Sequence, residues 1–305
     1  MSTSRESADL IAPLSLPGGG FAMVALDQRE SLRDMFIATG SGGPVEDDVL
    51  RAFKTEAVDV LSPYASGMLL DRPLALSGGR PQELAPGCGL IVAADVLVQQ
   101  SGGPVETTEL DPVVTPEYIA ELGAVAIKLL VIWRAGDDAD ERAELVSSFI
   151  RVAEEAGVAS LVEGIVRPDS GNWTDQAARH ETIISAARDL CSFEPTIYKA
   201  EVPGYVQGDL SRVAEESKKM TDVVGRPWVV LSNGVRQPDF ADAVRSACSG
   251  GAHGFLAGRA IWSDIVGEKE SRLALVDRSV PRLENLTGIV EDAMSTYAGA
   301  RKGEG

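Results

Sequence analysis

Short apolar runs recur along the chain, separated by stretches with helical patterning. The runs are Phe21–Leu26, Gly67–Leu70, Gly89–Ala93, Val125–Val131, Ala159–Ile165, Thr196–Val202, Trp228–Leu231 and Gly254–Ala257. They are rich in Val, Ile, Leu and Ala, the composition of parallel strands covered on both faces. Between them Glu141–Ala156 reads as a helix, with Leu145, Phe149, Val152 and Ala153 on one stripe and charges opposite. Leu210–Val224 and Asp239–Ser249 read the same way. No Pro/Ser linker, low-complexity segment or solenoid repeat divides the 305 residues. Eight strand–helix alternations in one undivided chain of this length predict a (β/α)8 TIM barrel. It would span residues 1–305 as a single domain, with a short N-terminal extension (1–20) and C-terminal helices at about 270–300. A doubly wound sheet is the competing arrangement, but its glycine-rich turn follows a strand, whereas Gly18-Gly19-Gly20 precedes one.

In such a barrel the chemistry lies at the C-terminal ends of the strands. Two of the runs carry a lysine: Lys128 in the fourth and Lys199 in the sixth. Burying an ammonium costs several kcal/mol unless it is paired or gives up its proton. A single strand lysine more often caps the strand and reaches solvent. Two of them suggest an amine held ready to attack a carbonyl, with a second cation beside it. Alternation along each strand then decides which polar residues face inward. Asp27 shares a face with Met23 and Ala25, Lys128 with Ala124 and Ala126, Glu163 with Ala159 and Leu161, and Lys199 with Ile197 and Glu201. Asp27, Lys128, Glu163 and Lys199 therefore converge on one interior spot, and Glu163 and Asp27 are the carboxylates available to move protons. The bland alternative, a layer of structural ion pairs, is expensive for the stability it returns.

A second signal concerns anions. Ser232-Asn233-Gly234 follows the seventh strand and Gly258-Arg259 the eighth. Loops at these two positions commonly hold phosphate, through backbone N–H groups and a bidentate guanidinium. Gln28 and Arg29, directly after Asp27, are further candidates for substrate contact.

The net charge of −18 argues against nucleic acid and anionic membrane as partners, while a local basic pocket still admits an anionic small substrate. No apolar run approaches membrane-spanning length, and Met1–Glu6 lacks a secretory pattern, so a cytoplasmic location is expected. Cys88, Cys191 and Cys248 are scattered, without the spacing of a zinc cluster or disulfide framework. The two histidines, His180 in a helical stretch and His253 at the start of the eighth strand, do not form the cluster a zinc-dependent reaction wants. No metal or other cofactor is expected.

The segments Phe21–Glu30, Ser62–Ser66, Ile127–Leu130, Tyr198–Pro203, Leu231–Val235 and Leu256–Trp262 resemble the class I aldolases of the tagatose 1,6-bisphosphate aldolase type. Val131-Ile132-Trp133-Arg134 and Ile165-Val166-Arg167-Pro168 resemble more closely the sulfofructose-phosphate aldolase branch of that group. The chain departs from that branch at Leu70–Pro73, at Gly164, where proline is common, and at Asn233, where serine is usual. The resemblance implies a metal-independent retro-aldol on an anionic ketose phosphate. Lys199 would form a Schiff base, Glu163 would shuttle the proton of the C4 hydroxyl, and Lys128 and Asp27 would hold hydroxyls. It further implies dihydroxyacetone phosphate and 3-sulfolactaldehyde as products, and a homo-oligomer. A tagatose or fructose 1,6-bisphosphate aldolase, or a sugar-phosphate isomerase or epimerase using Glu163 as base, are the alternatives.

Overall fold

The computed structural model describes residues 8–40, 44–99, 103–169, 171–173 and 175–303; residues 1–7 of the expected N-terminal extension lie outside these. Ten strands follow in chain order: β1 (Phe21–Leu26), β2 (Gly67–Asp71), β3 (Gly89–Ala93), β4 (Asp95–Gln99), β5 (Val105–Leu110), β6 (Ala126–Trp133), β7 (Ala159–Val166), β8 (Ile197–Ala200), β9 (Trp228–Val230) and β10 (Gly254–Ala257). Eight of them close a parallel barrel in the order β1-β2-β3-β6-β7-β8-β9-β10 and back to β1. All eight apolar runs are barrel strands, with shifts at the ends; the sixth is shorter than its run and the fourth extends to Trp133.

The helices that cover them are α1 (Glu30–Ala38), α2 (Asp47–Leu61), α3 (Pro116–Leu122), α4 (Ala139–Ala156), α5 (Gln176–Cys191), α6 (Val213–Val224), α7 (Phe240–Ser249), α8 (Arg259–Trp262), α9 (Ser271–Ala274) and α10 (Val280–Gly303). The expected helix at 141–156 is α4. Asp138 caps its start by accepting from the N–H groups of Asp140 and Glu141, and Gly157, at φ +67°, ends it.

β4 and β5 were not anticipated. They form an antiparallel hairpin between the third and fourth barrel strands, with one register shift at Val98/Gln99. Their residues are mostly half-exposed, and four of the six residues of Val105–Leu110 are Glu or Thr, so it forms no apolar run. A search for buried strands therefore passes over them.

The hydrophobic interior has two layers. Inside the barrel Phe21, Met23, Ala25, Leu69, Ile91, Ala93, Ala126, Ala159, Leu161, Ile197, Val229 and Leu256 fill the lower part, closed below by Leu14. The opposite faces of the same strands pack on the helices in a larger cluster that includes Phe53, Phe149, Tyr198, Trp228 and Trp262. The seam between β1 and β10 needs glycine at 254: its φ is +133°, and a Cβ there would stand 2.0 Å from the Phe21 carbonyl oxygen.

One charge is buried between barrel and helices. Lys54 of α2 is 1% exposed and donates to the Leu26 carbonyl at 2.7 Å and to the Asp71 carboxylate, which is fully buried. Burial pushes the Lys54 ammonium down, and the Asp71 charge opposes this. Lys54→Met removes the close cation of Asp71, leaving it the more distant Arg29 at 4.0 Å, and should cost about 3–5 kcal/mol in urea unfolding, since breaking a buried pair strands its partner. A loss below about 1 kcal/mol, the range of a surface pair, would show that Asp71 finds another counter-charge.

Candidate active site

Strand register builds the site. Glu163 on β7 is the direct neighbour of Lys199 on β8, and Lys128 on β6 is level with Ala93 on β3. Because alternate residues face inward, Asp27, Lys128, Glu163 and Lys199 all rise from the faces that carry Ala25, Ala126, Leu161 and Ile197 below. All four are buried. The four residues expected to converge do so.

The contacts are short. Lys199 Nζ donates to Glu163 Oε2 at 2.8 Å. The same carboxylate oxygen lies 3.4 Å from Lys128 Nζ. Lys128 Nζ also meets Asp27 Oδ2 at 2.6 Å and Asp95 Oδ2 at 2.8 Å. Three carboxylates thus surround one ammonium: Asp27, Asp95 and Glu163. Burial alone would push the Lys128 ammonium down; the charges of Asp27, Asp95 and Glu163 outweigh it and raise it well above the ordinary lysine value. Burial would likewise push the Asp27 carboxyl up, but Lys128 and then Lys199 hold it well below the usual carboxylate range.

Arg29, expected to contact substrate, is turned to carboxylates. Its Nη2 donates to the Asp95 carbonyl at 2.8 Å and to Asp95 Oδ1 at 3.2 Å, and its Nε stands 4.0 Å from Asp71. Gln28 lies beside Gly258: its Nε2 would be 3.2 Å from a Cβ at that glycine, and its Oε1 is buried without a hydrogen-bond partner.

The two loops expected to take an anion meet at the mouth. The exposed Arg259 guanidinium donates to Asn233 Oδ1, Ser232 is buried beside them, and Gly234 turns at φ +77°. Gly258 admits no side chain, since a Cβ would stand 2.4 Å from the Ala25 carbonyl oxygen. A cavity of about 380 Å³ adjoins this turn, lined by Arg167, Trp173, Arg179, Glu201, Asn233 and Gly234 among others. Arg179 is committed to Glu201 at 2.7 Å, whose other oxygen accepts the Val166 N–H at 2.9 Å. Among the described residues Arg167 donates to the carbonyl of its neighbour Val166 at 3.2 Å and pairs with no carboxylate, which leaves its charge to this cavity.

Two residues singled out by resemblance serve the scaffold. Trp133 donates from Nε1 to Asp189 of α5 at 2.8 Å, and the Arg142 guanidinium, itself 2.7 Å from Asp189, lies over its ring at 5.5 Å. Arg134 reaches the Glu106 carbonyl on β5 at 3.3 Å and Asp137 at 3.6 Å. The departure at Gly164 also has a local cause: a Cβ there would stand 2.3 Å from the Tyr198 hydroxyl. The histidines are elsewhere. His180 on α5 accepts the Gly204 N–H at 3.2 Å, and His253 precedes β10 at the far end of the barrel.

Comparison with known proteins adds a family. The profile of the DeoC/LacD family aldolases matches residues 21–264. A tagatose 1,6-diphosphate aldolase of Staphylococcus epidermidis is 25% identical over 331 residues, covering 97% of this chain and 99% of the relative. One from Listeria monocytogenes is 27% identical, covering 86% and 82%. Among solved structures, fructose-bisphosphate aldolase of Plasmodium falciparum superposes with TM-score 0.68 at 15% identity, over 95% of each chain. An archaeal fructose-1,6-bisphosphate aldolase, determined with its catalytic lysine covalently bound to the carbinolamine intermediate of the substrate, gives TM-score 0.64 at 15% identity, over 93% of this chain and 99% of that one.

The charge cluster makes a pH-dependent claim. In the wild type Asp27 is held low by Lys128, so its contribution to stability is complete above the ordinary carboxylate range and is lost only at pH values below it. Lys128→Met removes that hold, and burial then favours a protonated carboxyl. The variant should be less stable by about 3–5 kcal/mol at pH 8, with a smaller deficit at pH 5, as read from urea unfolding at both. A deficit independent of pH would contradict this electrostatic account.

Proposed function

The chain belongs to the DeoC/LacD family of aldolases, and from that premise we propose that it cleaves an anionic ketose phosphate through a Schiff base on Lys199. One observation carries the reading: a single oxygen of Glu163 lies 2.8 Å from Lys199 Nζ and 3.4 Å from Lys128 Nζ, all three side chains buried toward the C-terminal end of the barrel. That oxygen can take a proton from the Lys199 ammonium and free the amine. The carbinolamine seen on the catalytic lysine of the archaeal neighbour supports a covalent route.

The steps balance with groups of this chain alone. The Lys199 amine adds to the C2 ketone, and loss of water leaves a protonated imine. The Glu163 carboxylate takes the proton of the C4 hydroxyl. The C3–C4 electron pair moves into the iminium, forming an enamine and releasing the aldehyde. Protonation at C3 and hydrolysis of the imine then release dihydroxyacetone phosphate and restore the lysine. Lys128 stays a cation throughout and, with Asp27, orients substrate hydroxyls. Ser232, Asn233, Gly234, Gly258 and Arg259 take one anionic end of the substrate, with Gln28 beside them and Arg167 at the adjoining cavity. Arg29 acts from behind Asp95.

For the substrate we take 6-deoxy-6-sulfofructose 1-phosphate, the intermediate of sulfoquinovose breakdown, on the resemblance around Arg167-Pro168. A sulfonate is a fixed monoanion with no proton to donate, whereas a phosphate carries close to two charges and uses more cationic partners. Arg167, which pairs with no carboxylate among the described residues, suits the former. The tagatose 1,6-diphosphate aldolases among the relatives favour a bisphosphate as the second reading. We further propose that the enzyme is a cytoplasmic homo-oligomer with a single barrel domain.

The test is turnover by enzyme dialysed against EDTA, with kcat/KM measured for the sulfonated ketose phosphate and for tagatose and fructose 1,6-bisphosphates. The sulfonate should lead with activity intact after dialysis. A bisphosphate ahead by tenfold, about 1.4 kcal/mol, overturns the sulfosugar assignment, and loss of activity that zinc restores overturns the metal-independent mechanism.

A further inference from the structure

Asp95 does not belong to the barrel sheet, yet it reaches the centre of the site. It opens β4, the first strand of the hairpin, two residues past the end of β3. It is fully buried. Every oxygen it has is engaged. Oδ2 accepts from Lys128 Nζ at 2.8 Å and from the Leu130 N–H at 3.1 Å. Oδ1 and the backbone carbonyl accept from the Arg29 guanidinium at 3.2 and 2.8 Å. Three donors hold the side chain, two on Oδ2 and one on Oδ1, and a carboxylate fixed in this way is not free to swing toward a substrate.

The remaining partners of Lys128 differ from Asp95. Asp27, directly after β1, and Glu163, on β7, rise from the barrel wall and are slightly exposed. Glu163 is shared with Lys199 and must gain and lose protons if it serves the reaction proposed above, on which this inference rests. An ammonium paired with Glu163 would follow that carboxylate's charge, drawn in when it is ionised and released when it is neutral. We propose that Asp95, clamped by Arg29, is a positioning residue that keeps Lys128 charged and in place whatever the protonation of Glu163. The hairpin, which the barrel does not need for closure, is what delivers it.

The charged groups facing Lys128 are Asp27 just after β1, Asp95 from β4 and Glu163 from β7, with Arg29 behind Asp95 and Lys199 across Glu163. Burial opposes the ammonium and these carboxylates sustain it. Removing one of them must therefore lower its affinity for the proton. A group whose proton is held more tightly when folded gives stability that is complete below its unfolded value and lost on the alkaline side. Asp95→Asn should accordingly lose most stability where Lys128 is charged, and less on the alkaline side where the ammonium gives up its proton.

Two variants and two readouts test this. Asp95→Asn should lower kcat about tenfold to a hundredfold, the scale of a misplaced active-site group, with KM changed less. The alkaline limb of its rate profile should move to lower pH. Its melting temperature should lag the wild type most at pH 8, and the deficit should narrow as the pH rises to 10.5 and Lys128 sheds its proton, a readout that needs no substrate. Asp95→Glu keeps the charge but displaces it; kcat should fall while the alkaline limb stays in place. A constant melting deficit across that pH range, or a uniform loss of rate without a shifted limb, would make Asp95 a structural residue only. Wild-type kcat in Asp95→Glu would overturn the claim that its placement matters. Should Asp95→Asn fail to fold at pH 8, Asp95→Glu alone decides. A wild type inactive on all three ketose phosphates fails the functional reading, while the melting comparison still judges Asp95.

Discussion

The ammonium of Lys128 is fully buried and has to be neutralised, and the mouth of the barrel is organised around doing so. Asp27, Asp95 and Glu163 supply three negative charges; Lys128, Lys199 and Arg29 supply three positive ones. The set balances, and each member has an opposite charge within 3.4 Å. The alternation continues outward through Asp71, which stands between Arg29 and the buried Lys54 of α2. A run of like and unlike charges of this kind fixes geometry more than it adds stability, because the desolvation cost nearly offsets the attraction. What it returns is an amine and a carboxylate held at hydrogen-bond distance before any substrate arrives.

Barrel architecture makes the arrangement possible. Parallel strands in fixed register bring residues far apart in sequence to one level, and alternation turns every second one inward. The apolar plug of Met23, Ile91, Leu161 and Leu256 beneath keeps water from reaching the charges from below. Small residues under the lysines, Ala25 and Ala126, leave room where larger ones would fill the pocket. The outer faces of the strands, carrying Tyr198, Trp228 and Trp133, are occupied with anchoring helices.

The fold and the inner four residues were legible because they obey the simplest rule, a period of two in strands whose apolar runs are unbroken. Lys199 and Lys128 announced themselves by standing in such runs. Asp95 escaped because it lies just past β3 in a hairpin of half-exposed, often polar residues that no barrel count requires. Arg29 was assigned to substrate from its place after Asp27, yet carboxylates on β2 and β4 claim it, and their position depends on tertiary structure alone. Lys54 did carry a signal. It falls on the stripe of Leu50, Phe53, Ala57, Val58 and Leu61, the buried face of α2, where a lysine needs an explanation. Resemblance drew attention to Trp133, and the structure gives that residue an anchoring contact with Asp189 instead of a place in the pocket.

The central claim is that Lys199, and not the neighbouring Lys128, carries the covalent intermediate. Borohydride reduction during turnover of a ketose phosphate, followed by peptide mass analysis, addresses it directly. The account expects the mass of the reduced dihydroxyacetone phosphate adduct on the peptide that contains Lys199, and none on Lys199→Ala, which should remain folded. An adduct on the peptide containing Lys128, or turnover with no adduct on either lysine, would contradict it.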